Sequence, residues 1–174
     1  NKGELLWQLP TQSSLIYEAA FSLETSDIIT DSKSLFFSNN KNQLFSIDLG
    51  SGSFNWENKV NSNLRPTLVG NYLFTVSIEG YLVVTEKISG NIIRVTDIFK
   101  KFKAKKRAKI KPTGFVMGLN NIYLSTNNGR ILVIDVLTGK TKSTLKIDNE
   151  KISRPIILDK NLFVVKDKAI IKLN

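Results

Sequence analysis

The sequence contains neither cysteine nor histidine. Without cysteine there are no disulfide staples, thiolate metal sites or cysteine nucleophiles. Without histidine the common zinc sites and every Ser-His or Cys-His catalytic arrangement are excluded as well. Enzymatic chemistry would have to come from carboxylates, lysines or a borrowed cofactor. No apolar run approaches the roughly 18 to 20 residues that cross a bilayer, and no charged, apolar and small-residue leader opens the chain. It begins at Asn1 rather than Met, so a processed or trimmed segment is expected upstream, where a targeting signal would lie.

What is present is 174 residues, enough for one domain with a sizeable core, and a net charge of +10. That charge is local. Between Lys100 and Lys111 stand eight basic residues (Lys100, Lys101, Lys103, Lys105, Lys106, Arg107, Lys109 and Lys111) and no acid, and removing them leaves +2 for the rest. The body is nearly neutral, and the basicity belongs to one segment.

Self-similarity organises everything else. Ser51-Gly52, Ser89-Gly90 and Thr138-Gly139 each close a strand-like run; Gly80 and Gly129 stand ten residues before Gly90 and Gly139, and Asn42 takes that place in the first copy. Asn is the next best residue at positive φ, so the turn is kept. Upstream lie three matching lines, Arg65-Pro66-Thr67, Lys111-Pro112-Thr113 and Arg154-Pro155-Ile156, each followed by a short apolar run such as Leu73–Val76 or Leu162–Val165. The unit is therefore an entry strand, an apolar strand, a tight turn, a third strand, a Gly turn and an outer strand. The step from Gly52 to Gly90 is 38 residues and that from Gly90 to Gly139 is 49; the excess of 11 coincides with the basic segment, an insertion between units.

Four antiparallel strands per unit of about 40 residues predict an all-β β-propeller, with about four blades in this chain, half of an eight-bladed ring. The expected layout is an outer strand over 1–10, a connecting loop over 11–25, blades over 26–60, 64–98 and 112–148, the basic insertion over 99–111, and three strands of a last blade over 152–174. Trp7 and Trp56 each follow a turn glycine, Gly3 and Gly52, by four residues; each ring is expected to lie over that preceding turn and pack between neighbouring blades. Val95 and Leu145 are expected to serve in the other outer strands.

At these residues the sequence resembles the pyrroloquinoline-quinone-like propellers, whose units end in a Leu-Asp-x-x-[ST]-Gly-x-x-x-Trp type of motif. Ile47-Asp48-Leu49-Gly50-Ser51-Gly52-Ser53-Phe54-Asn55-Trp56 is the best copy and Ile134-Asp135-Val136-Leu137-Thr138-Gly139 the second. Within that superfamily it looks most like the C-terminal half of the propeller lipoproteins of the bacterial outer-membrane β-barrel assembly machinery. The resemblance implies a non-catalytic, periplasmic, outer-membrane-associated scaffold whose partners are assembly subunits, with the lipidated cysteine upstream of Asn1. It also implies that Ser26-Asp27 matches an acidic partner-contact position, while a second acid of that pattern is replaced by Ile29. Quinone-dependent dehydrogenases share the blade motif, but their vicinal disulfide is impossible here, and Asp48 and Asp135 recur at one blade position as turn residues would. No catalytic, metal or cofactor site is assigned. An adhesion or sensor module and a relic quinoprotein without cofactor are the alternatives.

Two segments invite a task. The insertion is either a solvated inter-blade loop or a contact for anionic lipid headgroups or an acidic protein; a nucleic acid is disfavoured because only one loop is basic. The stretch Thr11 to Thr25 departs from the repeat, and Tyr17, Phe21 and Leu23 either cap the propeller floor or, with Asp27, bind a partner. The two ends are complementary: Gly3 to Leu9 has the character of an outer strand that the last unit lacks, so upstream blades, a second copy or the chain itself is expected to close the ring.

Overall fold

A computed structural model of the chain describes residues 3–11 and 23–173. It contains four antiparallel sheets, each a simple meander. The first comprises β1 (Ile29–Thr30), β2 (Ser34–Asn39), β3 (Gln43–Asp48) and β4 (Phe54–Asn58); the second β5 (Thr67–Val69), β6 (Tyr72–Val76), β7 (Tyr81–Glu86) and β8 (Ile92–Asp97). After a short helix α1 (Ala104–Arg107) follow β9 (Pro112–Met117), β10 (Asn121–Thr126), β11 (Arg130–Asp135) and β12 (Thr141–Lys146), and then a three-stranded sheet of β13 (Ile156–Leu158), β14 (Asn161–Lys166) and β15 (Ala169–Leu173). We call these sheets blades A to D. They do not close into a ring and form a partial propeller.

The central strands are apolar on both faces because both faces are covered. On β7, Leu82 and Val84 join Phe115, Ile122, Leu124, Leu132 and Ile134 of blade C, while Val83 points the other way to Phe36 and Leu44 of blade A. Ile131 of blade C meets Leu162 and Val164 of blade D. Period-two alternation thus distributes one strand between two inter-blade cores. A β-bulge recurs where the third strand meets the fourth, between Ser46 and Ile47, Val84 and Thr85, and Val133 and Ile134. One extra residue there increases the local twist that each blade needs. Asn42 carries φ +68°, close to Gly129 at +70°, which explains how Asn replaces glycine at that turn.

One expectation requires correction. Gly3 to Leu9 form no strand, and Leu5 and Leu6 lie exposed; the segment packs at blade A through Trp7, away from any ladder that could order it as a strand. Tyr17, Phe21 and most of the connecting loop lie outside the described residues, and of that loop only its end is seen, where Thr25 bridges Asn39. At the opposite end, Ile156, Leu158, Val165 and Ile170 leave the outward face of blade D apolar and exposed.

Candidate functional site

The repeat builds an inter-blade latch. The Trp56 ring lies over Gly90, where an added Cβ would fall 2.6 Å from the ring, and its indole N–H donates to the Lys87 carbonyl at 2.9 Å. Trp7 does the same to Gly52 and the Leu49 carbonyl, at 3.2 Å. Each ring therefore reaches the turn of the following blade, not the glycine that precedes it in sequence. For Trp56 the reason is directional: β4 runs away from its own turn at Gly52 and delivers the ring to the neighbouring blade. In blade B the same register position, paired one residue before the bulge, is Arg94. Its guanidinium donates to the carbonyls of Val136, at 2.7 Å, and Leu137, while Thr96 fills the space over Gly139. Val95 and Leu145, expected to serve there, are exposed instead. A cation replaces the indole because the required partner is a carbonyl, which either donor satisfies.

The repeated aspartates are consumed by turns. Asp48 accepts from the Gly50 and Ser51 amides and the Ser51 hydroxyl, and Asp135 accepts from the Thr138 amide and hydroxyl. The Ser51 amide, first, holds the Asp48 carboxyl below the usual range; for Asp135 the main cause is Lys142, whose ammonium pairs with it at 2.8 Å.

The basic insertion is an anchored cap, not a free loop. Phe99 is fully buried over Gly80, whose Cβ would meet the ring at 2.1 Å; Phe102 packs on Phe99 edge-on at 5.8 Å, and Ile110 closes the same core. Arg107 leaves the expected basic surface: it pairs with Asp97 at 2.5 Å, lies over the Tyr81 ring at 5.2 Å and donates to the Glu79 carbonyl. The Asp97 bond, first, holds its proton more firmly than usual. Lys101 donates to the Thr141 carbonyl at 3.2 Å, and Lys106 lies over Phe102. Lys100, Lys103, Lys105, Lys109 and Lys111 are exposed, and their ammonium groups have no partner among the described residues.

The entry strands converge on the propeller axis. There Thr25 and Asp27 from the approach to blade A, Asn63 and Arg65 from blade B, Thr113 and Gly114 from blade C and Arg154 from blade D line an open cleft of about 160 Å³. Asp27 is exposed, and Leu23 is half-buried four residues away. Arg65 and Arg154 precede proline in two copies of one repeat line, which marks their strands but says nothing of their meeting. The third copy, Lys111, is exposed and does not line the cleft. Among the described residues no group of His, Cys, Asp and Glu side chains could hold a metal ion.

Four-stranded meander blades stacked face to face through alternating side chains define a β-propeller repeat protein of the PQQ-like and WD40-like class. The family profile described as outer membrane protein assembly factor BamB matches residues 1–96, and the chain belongs to that family. No curated protein matches the sequence. Among solved structures, BamB from Moraxella catarrhalis is similar at 13% identity and a TM-score of 0.69, over 84% of this chain and 41% of that one. The computationally designed Ika4 protein is similar at 13% identity and 0.63, over 85% and 91%. The Pan2 WD40 domain of Neurospora crassa is similar at 12% identity and 0.61, over 79% and 40%. At such identities the likeness is one of fold, and the chain spans about two fifths of the Moraxella protein.

Proposed function

We propose that this chain is a non-catalytic, protein-binding scaffold of the bacterial envelope, acting at the periplasmic face of the outer membrane in the assembly of outer-membrane proteins. The observation that carries the reading is the family match over residues 1–96. The chemistry of the chain agrees with it. Histidine and cysteine are absent, and the repeated aspartates Asp48 and Asp135 are engaged in turns. A rigid stack of blades presents loops in fixed positions, which is what recognition of a protein partner requires. The partner is expected to be a subunit of the barrel-assembly machinery, contacting the loop that ends in Leu23 and Asp27. The apolar outward face of blade D is expected to be covered by a further blade of the complete ring. The five unpartnered lysines of the insertion suit a second, weaker contact with anionic lipid headgroups.

Affinity capture of the full-length protein from cells tests this reading. Recovery of the barrel-inserting subunit, reduced by Asp27→Lys, is the expected result. Capture that recovers no barrel-assembly subunit, under conditions where the protein is folded and in the envelope, would overturn it.

A further inference from the structure

Five arginines occur in the chain. Three have their terminal nitrogens occupied: Arg94 by the Val136 and Leu137 carbonyls, Arg107 by Asp97, and Arg130 by the Asn128 carbonyl. The other two, Arg65 and Arg154, make no ion pair and no hydrogen bond from their terminal nitrogens among the described residues, and both line the same axial cleft. Arg154 uses only its Nε, donating to the Phe115 carbonyl at 3.3 Å.

The cleft is built to hold Arg154 there. Its stem lies against Gly114, where any Cβ would come within 2.5 Å of Arg154 Cβ and 3.0 Å of its Cα. A side chain at 114 would push Arg154 off the axis. Arg154 is half-buried and Arg65 exposed; burial, followed by the charge of Arg65, makes the cationic form of Arg154 less comfortable than usual, with Asp27 offsetting this in part. Asp27 is the one acid lining the cleft and pairs with neither arginine; two arginines against one aspartate leave the cleft net positive. Two guanidinium groups lining one cleft, with their terminal N–H donors unpaired, present fork geometries that match planar oxyanions.

We propose that this axial cleft is an oxyanion site, taking a carboxylate between Arg65 and Arg154, with the Thr113 hydroxyl at its wall. The open cleft, about 160 Å³, has room for a carboxylate-sized group between the two guanidinium groups. The carboxylate comes either from an acidic side chain of a protein partner or from a free small acid. The site does not depend on the scaffold reading: it rests on the two arginines alone.

The test uses the full chain labelled with 15N-arginine, titrated with succinate against sodium chloride at matched ionic strength. Saturable shifts of the Arg65 and Arg154 Nε–H resonances are expected, with the other three unmoved. Arg65→Gln and Arg154→Gln should each weaken binding by roughly tenfold or more, as loss of one charge-assisted bond implies. Lys105→Gln should leave it unchanged. Should Arg154→Gln fail to fold, Arg154→Lys keeps the charge without the fork and is expected to bind several-fold more weakly. An octaglutamate peptide distinguishes the sources. If it displaces succinate from the same resonances, the site takes a partner's acidic side chain; if only succinate shifts them, the site takes free acids. Shifts no larger than those in chloride, or shifts that persist in both Arg→Gln variants, would overturn the proposal.

Discussion

The latch between blades A and B makes a quantitative claim about Trp56. Full burial of a tryptophan would put its truncation to alanine at about 3 to 5 kcal/mol. Trp56 is half-buried against Phe36, at 6.1 Å between ring centres, and against the turn at Gly90. Its packing belongs at the lower end of that range, and the lost indole bond to Lys87 adds about 1 kcal/mol. Trp56→Ala is therefore expected to cost about 3 kcal/mol, and Trp56→Phe, which keeps a ring but loses the donor, about 1 kcal/mol. Stability by urea denaturation at unchanged m-value reads both.

Burial alone would give similar numbers, so the contact itself must be isolated. Gly90 has φ +76°, and a Cβ there would stand 2.6 and 2.7 Å from two ring atoms of Trp56. Gly90→Ala should cost about 1 kcal/mol for the left-handed backbone and a further 1 to 3 kcal/mol, roughly, for forcing the ring away. In the Trp56→Ala background the ring is gone and only the Trp56 Cβ, at 3.1 Å, remains near. The second change should then cost little beyond the backbone term. The two substitutions together should be milder than their sum by about 1 to 2 kcal/mol. Additivity within about 0.5 kcal/mol would refute the latch.

Other perturbations probe the neighbouring contacts. Arg94→Ala leaves the Val136 and Leu137 carbonyls without their donor and should cost about 1 to 2 kcal/mol in the same urea assay, whereas Val95→Ala on the exposed face should fall within about 0.5 kcal/mol of the parent. Asp31 accepts from the Lys33 amide, the chief cause, and pairs with Lys87 of blade B at 2.9 Å, so that its carboxyl is held down to about 2. Because the folded value lies below the unfolded one, its contribution is complete above about pH 4 and is lost as pH falls toward 2. Asp31→Asn should thus cost about 1 kcal/mol at neutral pH, screened as the pair is by solvent, and should flatten the stability profile between those limits. The full chain should bind anionic vesicles more weakly as salt rises and neutral vesicles not at all, and Lys103→Glu with Lys105→Glu and Lys109→Glu should abolish the binding; equal binding to both vesicle types would remove the insertion as a membrane contact.

The strands and their turns could be read because local rules govern them. Leu82-Val83-Val84 between a turn glycine and a Ser-Gly pair can hardly be anything but a strand covered on both faces, and Asn42 announces its own positive φ. Contacts between blades were less legible. A spacing of four places Trp56 on the outer strand but does not say which blade its ring touches, and Arg94 has no likeness to Trp until the turn carbonyls are in view, Lys87 for Trp56 and Val136 for Arg94. Phe99 and Phe102, set among lysines, look like part of a charged loop; only Gly80 beneath them shows that they are its anchor. The meeting of Arg65 with Arg154 is invisible along the chain, because 89 positions separate them and the intervening copy, Lys111, does not join them.

In a repeat protein the positions that keep the pattern serve the stack, and those that break it are free to serve something else. Gly52, Gly90 and Gly139 recur because each accepts a neighbour's side chain that any Cβ would displace. In the ladders Gly114 stands where blades B and D carry Arg65 and Arg154: each lies three residues before the partner of the first apolar residue of the second strand, Ile122, Leu73 and Leu162 respectively. Of these three equivalent positions only Gly114 lacks a side chain, and the space it leaves is taken by the Arg154 stem. A glycine on blade C thus seats the arginine of the neighbouring blade D beside the axis. A position that gives up its own side chain to hold a neighbour's unpaired cation is the pattern expected of a site, and it singles out the axial cleft from the other grooves between these blades.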